Sequence, residues 1–124
     1  MTKKAIVLGI TADHAFAAGT ALASILAHDA AFDADVVIFQ DGLPRDQEAA
    51  FRTLWPRCLF RTFNRASVSA QLRVTGDHAS MARFLAKYSP LVMAKLDLPD
   101  LLDAYTKVVW LDADIMVQGS LGPI

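Results

Sequence analysis

One stretch near the end of the chain limits the folds open to it: an apolar run that ends abruptly in two carboxylates. Residues 107–111 read Lys-Val-Val-Trp-Leu, and Asp112, Ala113 and Asp114 follow directly. A continuous apolar run of this length is typical of a strand that is buried on both faces of a parallel sheet. Such a strand leaves the core at its carboxyl end, where open α/β sheets bind ligands. The stretch therefore predicts an α/β fold with two acidic side chains at the binding edge.

The two aspartates have two interpretations on their own. If the strand ends in a turn, both carboxylates reach a common cation, and Mg²⁺ or Mn²⁺ takes one or two carboxylates together with substrate phosphates. Alternatively, Asp is frequent in turns because its side chain hydrogen-bonds to the nearby backbone. The tripeptide alone leaves both interpretations open.

Composition narrows the functional classes. The chain has 124 residues, of which 54% are hydrophobic and 20% charged, and its net charge is −1. These values indicate one globular domain with a real core and no basic field for nucleic acid. No apolar run reaches the ~18–20 residues of a membrane span. The single Cys58 excludes an internal disulfide and fits a reducing, cytoplasmic location.

Apolar runs alternate with helical patterns along the chain. Strands are expected at 5–10, 36–39, 58–63 and 107–111, with a possible fifth at 115–117. Helices are expected at 16–28, 45–54, 80–88 and 91–96, with a break at 97–100, a helical turn at 101–105 and an irregular segment at 64–78. This alternation predicts βαβ units and a mostly parallel sheet flanked by helices. The ends of the first and fourth strands then share one edge, so the turns at 11–16 and 112–114 could line one crevice.

The residues of these two turns suit a nucleotide. A cation held by Asp112 and Asp114 would bridge phosphate oxygens, and Asp13 could contact the base. Phe16 either stacks on the base or is a core aromatic of an amphipathic helix. No Gly-rich phosphate loop is present in the sequence.

Together these segments resemble glycosyltransferase family 8, the glycogenin-like and bacterial galactosyl- and glucosyltransferases. The resemblance covers residues 5–16, the following helix, and the second strand with its turn at 39–43. It is strongest over residues 94–117, where Lys95-Leu96 precede the strand and its Asp-Ala-Asp. It implies a Rossmann-like GT-A fold and a retaining hexosyl transfer from a UDP-sugar with Mn²⁺ or Mg²⁺.

The resemblance also implies roles for individual residues. Asp112 and Asp114 would be metal ligands, with Asp112 also near the ribose and Ala113 in the same nucleotide-binding segment. Phe16 stands where the family usually has a Tyr stacked on uracil, and so keeps the ring but not the hydroxyl. Lys95, where many members have Arg, would neutralise diphosphate charge. Thr11 and Asp13 lie in the uridine-contacting turn.

The chain ends ten residues after Asp114, at Ile124. Family members continue well beyond this point, so residues 1–124 are expected to be a single N-terminal nucleotide-sugar-binding domain, truncated after the Asp-Ala-Asp strand. A third metal ligand, a histidine, together with the acceptor site and the catalytic groups, would lie in the missing part. None of the three histidines matches that ligand.

Two alternatives remain. The haloacid-dehalogenase phosphatases also place Asp-x-Asp after an apolar strand, although normally on the first strand. The chain could instead be a non-catalytic module that binds nucleotide or pairs with a second copy through an exposed sheet edge.

Overall fold

The computed structural model describes residues 3–63, 83, 94–95 and 98–121, and the account that follows concerns these residues. The elements, in chain order, are β1 (Lys4–Thr11), a 3-10 turn (Ala12–His14), α1 (Ala15–His28), β2 (Asp35–Asp41), α2 (Arg45–Leu54), β3 (Cys58–Thr62), α3 (Leu98–Leu101) and β4 (Lys107–Trp110). The four predicted strands and the first two predicted helices are confirmed, with ends shifted by at most two residues. The expected irregular segment at 64–78 lies outside the described residues, as do most of the helices expected at 80–88 and 91–96.

The strands form one parallel sheet in the order β3-β2-β1-β4. The central strands β1 and β2 are almost entirely buried, because helices and loops cover both of their faces. This burial explains their sequences: a strand covered on both sides gains from an apolar side chain at every position rather than at alternate ones. Full burial of Val36 or Ile38 contributes about 1.5–3 kcal/mol each.

The two faces of the sheet carry separate apolar layers. On one face α1 and α2 pack through Leu22 and Phe51 onto Leu8 and Ile38. On the other face Leu101 and Tyr105 pack with Val7 and Phe39. The fold is therefore α/β with helices flanking a parallel sheet, as the sequence predicts. Within the described ranges no helix is long and apolar enough to cross a membrane.

Two local predictions are wrong. Within the break expected at 97–100, residues 98–100 are the start of α3, because Pro99 lies in the first helical turn, where a missing N–H costs nothing. The fifth strand expected at 115–117 does not form among the described residues. Instead, the N–H of Val117 donates to Ser24 Oγ on α1 at 2.8 Å.

A polar network closes the amino edge of the sheet around the buried Asp35. Tyr105 Oη donates to Asp35 Oδ2 at 2.7 Å, and Arg57 Nε donates to Asp35 Oδ1 at 2.7 Å. Burial by itself would raise the pKa of the Asp35 carboxyl, but the hydrogen bonds from Tyr105 and Arg57 and the nearby positive charges outweigh it and lower the pKa. The carboxylate thus links β2 to the segment that leads into β4.

Candidate functional site

The carboxyl edge of the sheet is stepped between β1 and β4. The two strands are parallel neighbours, and Trp110 at the end of β4 is level with Val7. A last backbone bond runs from the N–H of Leu111 to the carbonyl of Val7 at 2.9 Å. Strand β1 continues to Thr11. At the usual rise of a strand, these four further residues extend it by about 13 Å. The turns that follow β1 and β4 therefore leave the same edge on adjacent strands but at different heights.

Both carboxylates of the Asp-Ala-Asp segment are exposed. Exposure alternates along the segment: Leu111 and Ala113 are partly buried, whereas Asp112 and Asp114 are exposed. Leu111 and Ala113 pack against the apolar cluster under α1, which fixes the direction of the segment. Because the Ala113 side chain is used in this packing, a ligand contact from Ala113 would come from its backbone.

Lys95 and Asp112 meet at the indole of Trp110. Trp110 Nε1–H donates to Asp112 Oδ1 at 3.2 Å. The ammonium of Lys95 lies 5.4 Å from the Trp110 ring centroid, within the range of a cation–π interaction. The structure thus brings two sequence-predicted site residues into contact with one aromatic side chain.

The segment after Asp114 is anchored along α1. Ser24 Oγ accepts the N–H of Val117 at 2.8 Å, and Asp29 Oδ2 accepts the N–H of Leu121 at 3.1 Å. Both acceptors belong to buried side chains. The carboxylate turn is therefore held on one side by β4 and on the other by these contacts with Ser24 of α1 and with Asp29, which follows it.

The turn after β1 presents polar and aromatic groups at its end of the edge. A 2.8 Å hydrogen bond joins Thr11 Oγ1 and His14 Nδ1, so the Thr11 hydroxyl is held within the turn. Asp13 and His14 are exposed. Phe16 is 88% exposed in the first turn of α1, which rules out the core-aromatic interpretation. Ala15 and Ala18 occupy the buried positions instead.

The side-chain oxygens at this edge suit a hard cation that takes its remaining ligands from outside the protein. Asp112 and Asp114 supply carboxylate oxygens, the ligand type that Mg²⁺ and Mn²⁺ prefer. Among the described residues no group of three or more His, Cys, Asp or Glu side chains could hold a metal ion. Two carboxylates fit a cation whose remaining ligands are phosphate oxygens and water, rather than a closed protein site.

The sequence prediction missed two residues of this edge, His14 and Trp110. Nothing in the sequence pairs His14 with Thr11. A signal for Trp110 was available: it stands two residues before Asp112, and side chains two apart in a strand share a face.

Solved glycosyltransferase structures share this fold. The chain resembles the apo structure of the bifunctional glycosyltransferase WbbM with a TM-score of 0.69 and 22% identity, over 98% of this chain and 20% of that one. An active-site mutant of LgtC gives a TM-score of 0.74 and 20% identity, over 96% of this chain and 40% of that one. The galactosyltransferase LgtC in complex with donor and acceptor sugar analogues gives 0.68 and 20%, over 96% and 41%.

The chain thus spans less than half the length of these structural neighbours. No curated protein sequence matches it. The sequence profile of glycosyl transferase family 8, however, matches residues 5–124, almost the whole chain. The match includes both turns of the stepped edge. The chain belongs to glycosyl transferase family 8.

Proposed function

We propose that this chain forms the donor-binding domain of a retaining glycosyltransferase that transfers a hexosyl group from a UDP-sugar with Mn²⁺ or Mg²⁺. The observation that carries the proposal is the pair of carboxylates, Asp112 and Asp114, exposed together at the carboxyl end of β4. Family membership and the fold of LgtC, solved with donor and acceptor sugar analogues, support it.

In the proposed complex, the diphosphate of the UDP-sugar lies at the turn after β4, and the base lies at the turn after β1. Asp112 and Asp114 would hold the cation, and a cation bound there would supply positive charge to the diphosphate and to the departing UDP. Lys95 adds a second positive charge on the side of Trp110. Asp112 would also lie near the ribose, as the resemblance to the family implies.

The base lies against the turn after β1, the strand that extends further at this edge. Phe16 offers an exposed ring to uracil, and aromatic stacking on a base contributes about 1–3 kcal/mol. Thr11 and Asp13 line the uridine side, with the Thr11 hydroxyl already oriented by His14. The acceptor groups, the catalytic groups and a histidine as third metal ligand are expected from further parts of the enzyme.

Family membership overturns the phosphatase alternative, since the Asp-Ala-Asp segment follows the fourth strand of a family 8 domain. The cytoplasmic location stays a prediction.

Pairing with a second copy also stays a prediction. The edge strand β3, with Leu59 47% exposed, is a candidate surface for it. Sedimentation at several concentrations would test that pairing.

Calorimetric titration of UDP into the chain, with and without Mn²⁺, tests the proposed function. The parent chain should bind UDP only weakly without Mn²⁺ and clearly with it. The double variant Asp112→Asn/Asp114→Asn should lose the Mn²⁺-dependent binding, because amides are poorer ligands for hard cations than carboxylates.

Asp103→Asn is the matched control, since Asp103 is an exposed aspartate just before β4, at the opposite edge of the sheet. This variant should bind UDP and Mn²⁺ like the parent chain. Equal binding with and without Mn²⁺, or Mn²⁺-dependent binding that survives in the double variant, would contradict the assignment of the two carboxylates.

A further inference from the structure

We propose that Trp110 is a positioning residue of the donor site, which orients Asp112 for the cation and holds Lys95 beside it. The inference rests on the proposed function, since it assigns a role to a residue next to the metal-binding carboxylate. Trp110 itself need not touch the donor. Its effect would pass through the two side chains that it contacts.

The Trp110 ring is a fixed platform. It is partly buried and packs against the apolar layer that contains Val7 and Ala94. The backbone beneath it is paired with β1 up to Leu111. Its indole therefore has a defined position in the fold, unlike the exposed side chains of Asp112 and Lys95.

The hydrogen bond from this platform selects one arrangement of Asp112. An exposed aspartate on a turn samples several rotamers, and each ligand that must be ordered on binding lowers affinity. Donation from Trp110 Nε1 engages Oδ1 at 3.2 Å and leaves Oδ2 for a cation. Partners that orient metal ligands in this way typically change metal affinity about 10- to 100-fold when they are removed.

The ring face acts on Lys95. Its ammonium lies 5.4 Å from the ring centroid and is attracted by the π electrons, so the positive charge is held at the ring whose N–H binds Asp112. One aromatic residue thus sets the relative positions of a cation ligand and a positive side chain. A Phe at position 110 would keep the ring face and lose the N–H, which separates the two effects.

The first experiment examines the contact without any ligand. In ¹⁵N-labelled protein the two tryptophans, Trp110 and Trp55, give two indole N–H resonances, and Trp110→Phe assigns them. Asp112→Ala should shift the Trp110 indole resonance and leave Trp55 unmoved, since Trp55 donates to the carbonyl of Ala34. Asp103→Ala should move neither resonance. An unchanged Trp110 resonance in Asp112→Ala would overturn the inference.

The second experiment measures the consequence for binding. Trp110→Phe should weaken Mn²⁺-dependent UDP binding about tenfold, the lower end of the range because the site is exposed. Its thermal unfolding midpoint should stay close to that of the parent. Trp55→Phe, the matched control, should bind like the parent. Affinity that falls only in parallel with lost stability would point to a purely structural Trp110.

The two proposals fail in different ways. If the parent chain binds Mn²⁺ and UDP but Trp110→Phe binds equally well, the positioning role is wrong and the donor site stands. If the parent chain shows no Mn²⁺-dependent binding, the proposed function fails for this chain, and the positioning role fails with it.

Discussion

Removal of the Asp35 carboxylate should destabilise the fold by about 2.5 kcal/mol. The hydrogen bond from Tyr105 ends on a charged acceptor and both groups are buried, so about 2 kcal/mol is expected from it. The Arg57 side chain is 42% exposed, and its bond to Asp35 should add only about 0.5 kcal/mol because solvent screens it. Lys3, at 4.0 Å and largely exposed, should add almost nothing.

The assay is urea unfolding of Asp35→Ala, Tyr105→Phe and the double variant, followed by circular dichroism. Tyr105→Phe alone should cost about 1.5–2 kcal/mol. Since both changes remove the same hydrogen bond, the double variant should cost less than the sum of the two, by about 1 kcal/mol or more. Costs that add to within about 0.5 kcal/mol would refute the reasoning, because independent sites behave in that way.

The pH dependence gives a second check on the same network. The pKa of Asp35 is lower in the folded chain than its ordinary value of 3.8, so the unfolded chain binds the proton more readily. The stabilisation is therefore fully present above pH 3.8 and is lost as pH falls through the folded pKa. The free-energy difference between the parent and Asp35→Ala should shrink over that acidic range. A difference that stays constant there would contradict the lowered pKa.

Three further predictions concern single side chains. Burial and the hydrogen bond to Asp35 raise the pKa of Tyr105 from 10.0 to about 12. Its stabilising contribution should therefore be present below the lower value and lost as pH rises towards the higher one, which ultraviolet difference titration against Tyr105→Phe checks. Burial raises the pKa of Cys58 to about 11, so at mildly alkaline pH its labelling by a thiol reagent should require unfolding and should accelerate with urea. In Gly19→Ala the added Cβ would lie 4.0 Å from Phe51 Cε1, an ordinary contact. This change should stabilise α1 by about 0.5–1 kcal/mol, and a lower urea midpoint would contradict it.

Much of the sheet could be predicted from the sequence because its central strands are covered on both faces. Full coverage favours uninterrupted apolar runs such as Val36-Val37-Ile38, whereas a strand with one solvated face alternates apolar and polar residues. Turn residues then mark the strand ends, as Gly42 does with its φ of 80°, a conformation that glycine adopts without strain. The path of residues 115–121 could not be predicted, because Ser24 and Asp29 hold it through contacts distant in sequence.

The site was predictable to a smaller extent. Exposure of Asp112 and Asp114 follows from their place at the end of a buried strand. The sequence could not decide whether Phe16 is buried or exposed, because helical periodicity does not show which turn of a helix extends beyond the edge of the sheet. In the structure Ala15 and Ala18 fill the buried positions. The link between Lys95 and Trp110 depends on tertiary packing, which no local pattern encodes.

The stepped edge between β1 and β4 also fixes the distance between the two turns along the strand direction. Backbone pairing between the two strands sets the height of this step, about 13 Å. Substitution of a side chain in either turn therefore leaves the height of the step unchanged. Lengthening β1 beyond Val7 by one residue would turn every later side chain to the opposite face. Only changes in pairs, about 6.6 Å each, preserve the alternation. The separation between the two turns can therefore change only in steps of two residues. This restricts the ligand lengths that related domains can span.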